Sequence, residues 1–457
     1  MRRIASITTA ITLAGALAAG CTLDVPDLNN PGIDQLEDNP TPSAVSAACT
    51  GLLIGNRGNT AAANGVVVQL GILGREAYNF DQADPRFIGE LLEGELAAGS
   101  PFGGNFWAGP YANIRLANIV QRATDKVADY TAADKAAIHG FVDTIEALDL
   151  LRVAITRDSN GAVIDTDRAL DEPLGAIVGK DAVYAEIARL LDAGATALDD
   201  GGDAFPFALS TGYAGFDTPA TFRTFNRALR ARVAAYQGDY AGTLDALDES
   251  FLDDTAATVA DLDVGVYHSY STGAGDAVNN LINPNIYAHP SIVADAEAQA
   301  GGAPDARLTR KVTTTDAPGS AQGLTSDQVF TIYGGPGARV AIIRNEELLL
   351  LRAEARWGTD DLDGARADLD LVRAVSGGLD PLSPTITSAE LEDDLLYERR
   401  YSLLFEGGHR WVDLRRFDRL DDLPLDMPSH VRNARYPIPL AECNARPGEP
   451  ACDLGSL

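Results

Sequence analysis

A mostly α fold built from helical hairpins is what this 457-residue sequence predicts. Three observations carry the prediction. Apolar residues recur at helical spacing in segment after segment, the segments arrive in pairs with short turns, and strand-like alternation is scarce.

The elements follow in chain order. From about residue 42 the pattern is helical, with Ser43 as a cap for a first helix through roughly Ile54. Over 108–128, Ile114, Ala117 and Val120 share a face. Over 133–156 the face is Ile138, Val142, Ile145, Leu148 and Val153; over 180–198 it is Val183, Ile187, Leu190, Leu191 and Leu198. Further helices are predicted at 219–236, 239–250, 340–357, 361–375 and 388–406.

The pair spanning 340–375 is the best defined. Leu348, Leu349, Leu351 and Ala353 form one face, Trp357-Gly358-Thr359-Asp360 the turn, and Leu362, Ala365, Leu369 and Val372 the other face. Two small residues, Ala353 and Ala365, at this spacing resemble the tetratricopeptide repeat, where they let paired helices approach closely. The stretch from Ala231 to Leu247 fits the same template with Thr243 at the second small position. Residues 252–338 break the pattern. They are rich in Gly, Ala, Asp, Thr and Asn, and long for one loop. Either a functional irregular segment on the helical scaffold or a plain insertion with short helices fits them.

The N-terminus reads as an export signal. Arg2-Arg3 precede a short apolar stretch, and Leu17-Ala18-Ala19-Gly20 lead into Cys21. The stretch is too short to span a membrane. Ala-Ala-Gly-Cys resembles the bacterial lipobox, whose Cys is acylated; plain secretory cleavage is the alternative. The resulting division is a signal at 1–20, a lipid anchor and extended Asn/Asp/Pro-rich tether at 21–41, a helical domain at 42–442 and a tail at 443–457. After export, Cys443 and Cys452 meet an oxidising compartment, where a disulfide would pin the tail, contributing about 2.5 kcal/mol. Cys49 lies in an apolar run and reads as a buried thiol.

Charge and motifs narrow the function. A net charge of −30 repels phosphate backbones, so nucleic acid is not an expected partner. None of the five His forms a His-x-x-x-His pair, and neither a Gly-x-Ser-x-Gly elbow nor a phosphate loop is present. Thr359-Asp360-Asp361-Leu362-Asp363-Gly364 mimics a calcium loop, but its second half belongs to the repeat helix. No catalytic residue, metal or cofactor is expected.

The C-terminal third carries a resemblance. Arg344-Asn345-Glu346-Glu347 running through Arg352-Ala353-Glu354-Ala355 resembles the acidic-apolar helix of the SusD/RagB family. Glu398-Arg399-Arg400 through Glu406-Gly407-Gly408-His409-Arg410-Trp411-Val412-Asp413-Leu414-Arg415-Arg416 resembles its second signature, and Tyr436-Pro437-Ile438-Pro439 a third. Ser402 departs from the family's usual Glu, and the Cys443–Cys452 segment replaces its usual ending.

The resemblance implies a SusD-like fold and a nutrient-binding lipoprotein of the outer membrane, exposed at the surface. It further implies capture of oligosaccharide or peptide for a partner TonB-dependent transporter, without catalysis. Arg344, Glu346, Arg352, Glu354, Glu398, Arg399, Glu406, Arg410, Asp413 and Arg416 read as structural, with Glu406 and Arg410 clamping the two-glycine turn. Ligand contacts are expected in two places: Arg75, Tyr78, Asn79, Phe80 and Asp81; and Tyr267, Tyr270, Asn279, Asn280, Asn283, Tyr287 and Tyr333. Aromatics make up only 7% of the chain, so the capturing surface is expected to be modest or built for something other than sugar. The competing readings are a scaffolding envelope lipoprotein that binds proteins through its repeats and, further off, an envelope hydrolase.

Overall fold

The computed structural model describes residues 32–169 and 171–453. The export signal, Cys21 and the start of the tether lie outside the described residues. The expected extended tether is already helical at Ile33–Asp38, where Leu36 is buried and Lys126 donates to the Glu37 carbonyl.

Eleven of the helices matter here. They are α1 (Pro42–Arg57), α2 (Val66–Leu73), α3 (Asn105–Lys126), α4 (Ala132–Arg157), α5 (Lys180–Asp199), α6 (Pro219–Gln237), α7 (Tyr240–Asp248), α8 (Asn345–Gly358), α9 (Leu362–Val372), α10 (Ser388–Ser402) and α11 (His409–Arg416). Neighbours in sequence pack on one another, α3 on α4, α4 on α5 and α5 on α6, followed by the hairpins α6–α7 and α8–α9.

The caps follow local chemistry. Thr41, not Ser43, starts α1: Pro42 takes the first helical position, and the Thr41 hydroxyl accepts from the Ala44 amide at 3.2 Å. Thr131 with Asp134 and Thr387 with Glu390 form capping boxes on α4 and α10. The hairpins share one device. Asp239 accepts from Gly242 at 3.0 Å and Asp361 from Gly364 at 3.0 Å, so the calcium-like loop is a helix cap. At their crossings Ala231 and Thr243, like Ala353 and Ala365, are buried.

Two further expectations need correction, and one helix goes unsignalled by the sequence. Residues 340–344 are a strand, rich in β-branched residues, in which Val340, Ala341, Ile343 and Arg344 pair with Gly265–His268 and Ile342 falls at a register shift; the helix begins at Asn345. α2 gives no periodic signal, because Val66-Val67-Val68-Gln69-Leu70-Gly71-Ile72-Leu73 is buried on every side and has no polar face to set a period. The segment 252–338 is not one irregular loop.

With β1 (Ala77–Asn79) ahead of it, that segment contributes β2 (Gly265–His268), β3 (Ile286–Ala288), β4 (Val312–Ala321) and β5 (Leu324–Phe330), and β6 is Val340–Arg344. The pairs are all antiparallel: β1 with β3, β2 with β6, and β4 with β5. The β4–β5 turn is Gln322-Gly323, both with positive φ (50° and 86°), the type a two-residue hairpin favours. Cys443 and Cys452 are disulfide-bonded, and Cys49 is free and buried. Among the described residues no helix is long and apolar enough to cross a membrane.

Candidate functional site

The two ligand regions named from sequence meet in space. Tyr78 pairs with Tyr287 across the β1–β3 ladder, flanked by Ala77 with Ala288 and Asn79 with Ile286. The Phe80 ring lies 5.2 Å from Tyr78 and 5.4 Å from Tyr287, and Tyr78 lies 4.9 Å from His289. Gly319 of β4 admits this stack. A Cβ there would sit 2.4 Å from the Tyr287 ring and 2.7 Å from Phe80.

Beside the stack is a cleft of about 270 Å³, walled by Asn79, Asp81, Gln82, Asp84 and Ile88 on one side and the hairpin tip at Gln322 on the other. The Asn79 carboxamide accepts from the Asp81 amide at 3.0 Å, and Asp81 accepts from Ala83 at 3.0 Å, which sets the loop. Gln322 closes the wall by donating to the Pro85 carbonyl at 3.0 Å. Arg86 grips Asp84 at 2.7 Å, and that hydrogen bond holds the carboxyl below its ordinary range. The cleft offers amides and carboxylates over an apolar patch, which suits hydroxyl groups. Among the described residues no group of three or more His, Cys, Asp or Glu is arranged to hold a metal.

Most of the residues expected at the ligand serve as supports. Arg75 is wholly buried at a positive φ and donates to the carbonyls of Ile72, Leu73, Pro424 and Val431; burial lowers its pKa to about 10. Tyr78 and Phe80 are buried in the stack. Asn279 is buried, donating to Ala338 and accepting from Leu281, both at 2.8 Å. Tyr333 is buried with its hydroxyl on the Phe405 carbonyl at 2.8 Å. Tyr270 is buried under Arg57, 5.3 Å from its ring. Tyr267 is buried beneath Arg339, yet it borders a separate cleft of about 280 Å³ with Ile54, Arg57 and Tyr213.

The expected contacts with reach to solvent are fewer. Asn280 is exposed, and Asp81, Asn283 and Tyr287 are half-buried. Of these only Asp81 lines the first cleft, with Asn79 at its base. Gln82, Asp84 and Gln322 line the cleft without being among the residues expected from sequence. The polar run Asp81-Gln82-Ala83-Asp84 and the Gln322-Gly323 turn were the available signals.

Behind the cleft, His289 and Asp426 are joined at 3.0 Å. Burial acts to raise the Asp426 pKa, but hydrogen bonds from His289 and Tyr78 prevail and hold it at about 2.

The C-terminal motif residues form an ion-pair lattice. Glu398 takes Arg307 on one oxygen and Arg373 on the other, the latter at 2.7 Å. Asp413 binds Arg399 at 2.7 Å, Glu354 binds Arg416 at 2.8 Å, and Arg352 binds Asp368 at 2.7 Å. Arg344 reaches both Glu346 and Glu406. Lys311 also holds Glu406, at 2.9 Å, so the expected Glu406–Arg410 clamp is absent: both Glu406 oxygens are taken.

Fold and cleft together define a class: a helical-hairpin scaffold that displays a polar cleft on short strands. Residues 323–447 match the SusD family. Solved structures extend the likeness of fold to nearly the whole chain. A SusD superfamily protein from Bacteroides vulgatus superposes with a TM-score of 0.69 at 15% identity, covering 89% of this chain and 97% of its own. Surface glycan-binding protein A from Bacteroides thetaiotaomicron, in complex with laminarihexaose, gives 0.68 at 15% identity over 90% and 98%. A SusD-like carbohydrate-binding protein from Bacteroides fragilis gives 0.69 at 15% over 90% and 99%. No curated protein sequence matches the chain.

Proposed function

We propose that this protein is a non-catalytic, glycan-binding lipoprotein of the outer membrane that captures oligosaccharide and passes it to a TonB-dependent transporter. The observation that carries the reading is the cleft at Asn79, Asp81, Gln82, Asp84 and Gln322. It combines hydroxyl-binding groups with an apolar patch, on the fold of a laminarihexaose-bound glycan-binding protein. Anchoring rests on the sequence Leu17 to Cys21, with residues 1–20 as signal, Cys21 as the acylated residue and 42–442 as the binding domain.

Calorimetric titration of the chain from residue 22 with laminarihexaose and a panel of neutral oligosaccharides tests the reading. Saturable binding, weakened by Asp81→Ala and without released product, is the expected result. No binding across the panel would sink it and favour the scaffolding reading. Product release would favour a hydrolase. Co-purification of the acylated protein with an outer-membrane barrel tests the transporter step separately.

A further inference from the structure

Buried arginines in this fold find oxygen. Arg307, Arg344, Arg373 and Arg399 have carboxylates. Arg75 and Arg157, which lack one, donate to backbone carbonyls. Arg410 differs. It is 9% exposed and forms no ion pair or side-chain hydrogen bond among the described residues; its Nη1 is fully covered, so the Nε–Nη2 edge is the one a ligand can reach. Leaving a buried charge unpaired is strongly unfavourable, and a guanidinium does not escape by losing its proton.

Arg410 lines a cleft of about 250 Å³ between α10 and α11. Leu396 and Tyr397 of α10 and Leu414 of α11 give it apolar walls. Its other charges are matched. Arg419 holds Asp393 at 2.9 Å and Asp422 at 2.6 Å; Asp413 is held by Arg399 and Arg416; Arg400 pairs with Asp295 at 2.8 Å. The unmatched charge in the cleft is the Arg410 cation.

We propose that this cleft is a second ligand site, in which Arg410 anchors a single carboxylate carried on a small ring, of the uronic-acid class. The planar guanidinium fork matches a carboxylate with two parallel hydrogen bonds. Asp393, Asp413 and Asp422 border the same space, so a dianion such as phosphate or sulfate meets more repulsion than a monocarboxylate. The volume falls just below the about 300 Å³ at which drug-sized pockets begin, which fits one sugar ring. Leucine and tyrosine walls suit the ring's C–H face. The site shares no lining residue with the Asn79–Gln322 cleft and goes beyond the glycan capture proposed there.

Saturation-transfer NMR with D-glucuronate and D-glucose on the chain from residue 22, with sulfate titrated in as a competitor of glucuronate, tests the assignment. The expected result is saturable binding of glucuronate, at least about tenfold tighter than glucose, lost in Arg410→Gln and in Leu396→Trp, which fills the cleft from its wall. Arg410→Gln removes an unpaired buried charge, so its thermal melt is expected to hold or rise; if it fails to fold, Leu396→Trp decides. No saturable glucuronate signal, glucose binding as tightly, sulfate binding more tightly, or binding retained in both variants would each overturn the proposal. Asp81→Ala leaves glucuronate binding intact while weakening neutral oligosaccharide, so failure at one cleft is distinguishable from failure at the other.

Discussion

The Glu398–Arg416 segment and the Asn79–Gln322 cleft use polar residues in opposite ways. In the first, carboxylates and guanidinia are buried and saturate one another: Glu398 is fully covered and serves two arginines. In the second, amides and carboxylates set the loop with part of their capacity and turn the rest to solvent. A sequence motif dense in charge therefore marks the frame of this protein, and the proposed ligand surface lies in a stretch whose composition looks unremarkable. Substitutions are therefore expected to separate into those that move stability and those that move binding.

The largest expected effect is on the frame. Glu398→Ala leaves Arg307 and Arg373 buried without their shared carboxylate, and removing one partner of a buried pair costs about 3–5 kcal/mol. Denaturant unfolding should show that loss, with oligosaccharide affinity unchanged in the fraction that folds. A loss of affinity at unchanged stability would break the comparison.

Gly319→Ala tests the join between frame and cleft. The new methyl would meet the Tyr287 and Phe80 rings, and overpacking of this kind costs about 1–3 kcal/mol. Because Gly319 lies in the strand that ends at the Gln322 wall, both the melting temperature and oligosaccharide affinity should fall. A fall in stability alone would mean that the hairpin tip is positioned independently of the aromatic stack.

The frame was legible in the sequence and most of the site was not, for physical reasons. Amphipathic helices announce themselves through period, and Ala353 and Ala365 fix a hairpin because little else fits a close crossing. α2 has no polar face, so period is silent there. β4 is mostly exposed and begins with a run of Thr, so burial imposes no alternation on it. Tyr78, Tyr270 and Tyr333 offer the flat faces that sugar capture needs, yet tyrosine packs in a core as readily as it meets a ligand, and all three are buried. What chain order could not show was that Tyr78 and Tyr287 are neighbours across a ladder.

Acid titration offers a subtler probe of the frame. Neither oxygen of Glu76 has a hydrogen-bond partner, and burial pushes its pKa from 4.5 to about 8. The folded state thus keeps a proton that the unfolded chain sheds near 4.5. This contribution to stability is complete below that value and declines as pH rises toward 8. Glu346 has the opposite sign. Burial acts to raise it, but Arg344 and Lys311 hold it at about 2, so its contribution is complete above 4.5 and is lost as pH falls toward 2. Unfolding curves between pH 5 and 8 should show stability declining less steeply in Glu76→Gln than in the parent chain. An identical slope would mean that Glu76 is ionised in the fold.

The smallest expected effect on stability is the most informative about function. Asp81 is half-buried, and its carboxylate accepts one amide, from Ala83, within an exposed turn. Substitutions at such positions usually shift stability by less than about 0.5 kcal/mol. Its other oxygen has capacity for a ligand hydroxyl. One charge-assisted hydrogen bond contributes about 1.5–3 kcal/mol, so Asp81→Ala should weaken oligosaccharide binding by at least about tenfold at an unchanged melt. Asp81→Asn sharpens the test, since the amide keeps an acceptor for Ala83 and loses the charge. Intermediate affinity would assign the effect to the carboxylate itself. Affinity equal to that of the parent chain in both variants would remove Asp81 from the site and shift the search to the cleft beside Tyr267.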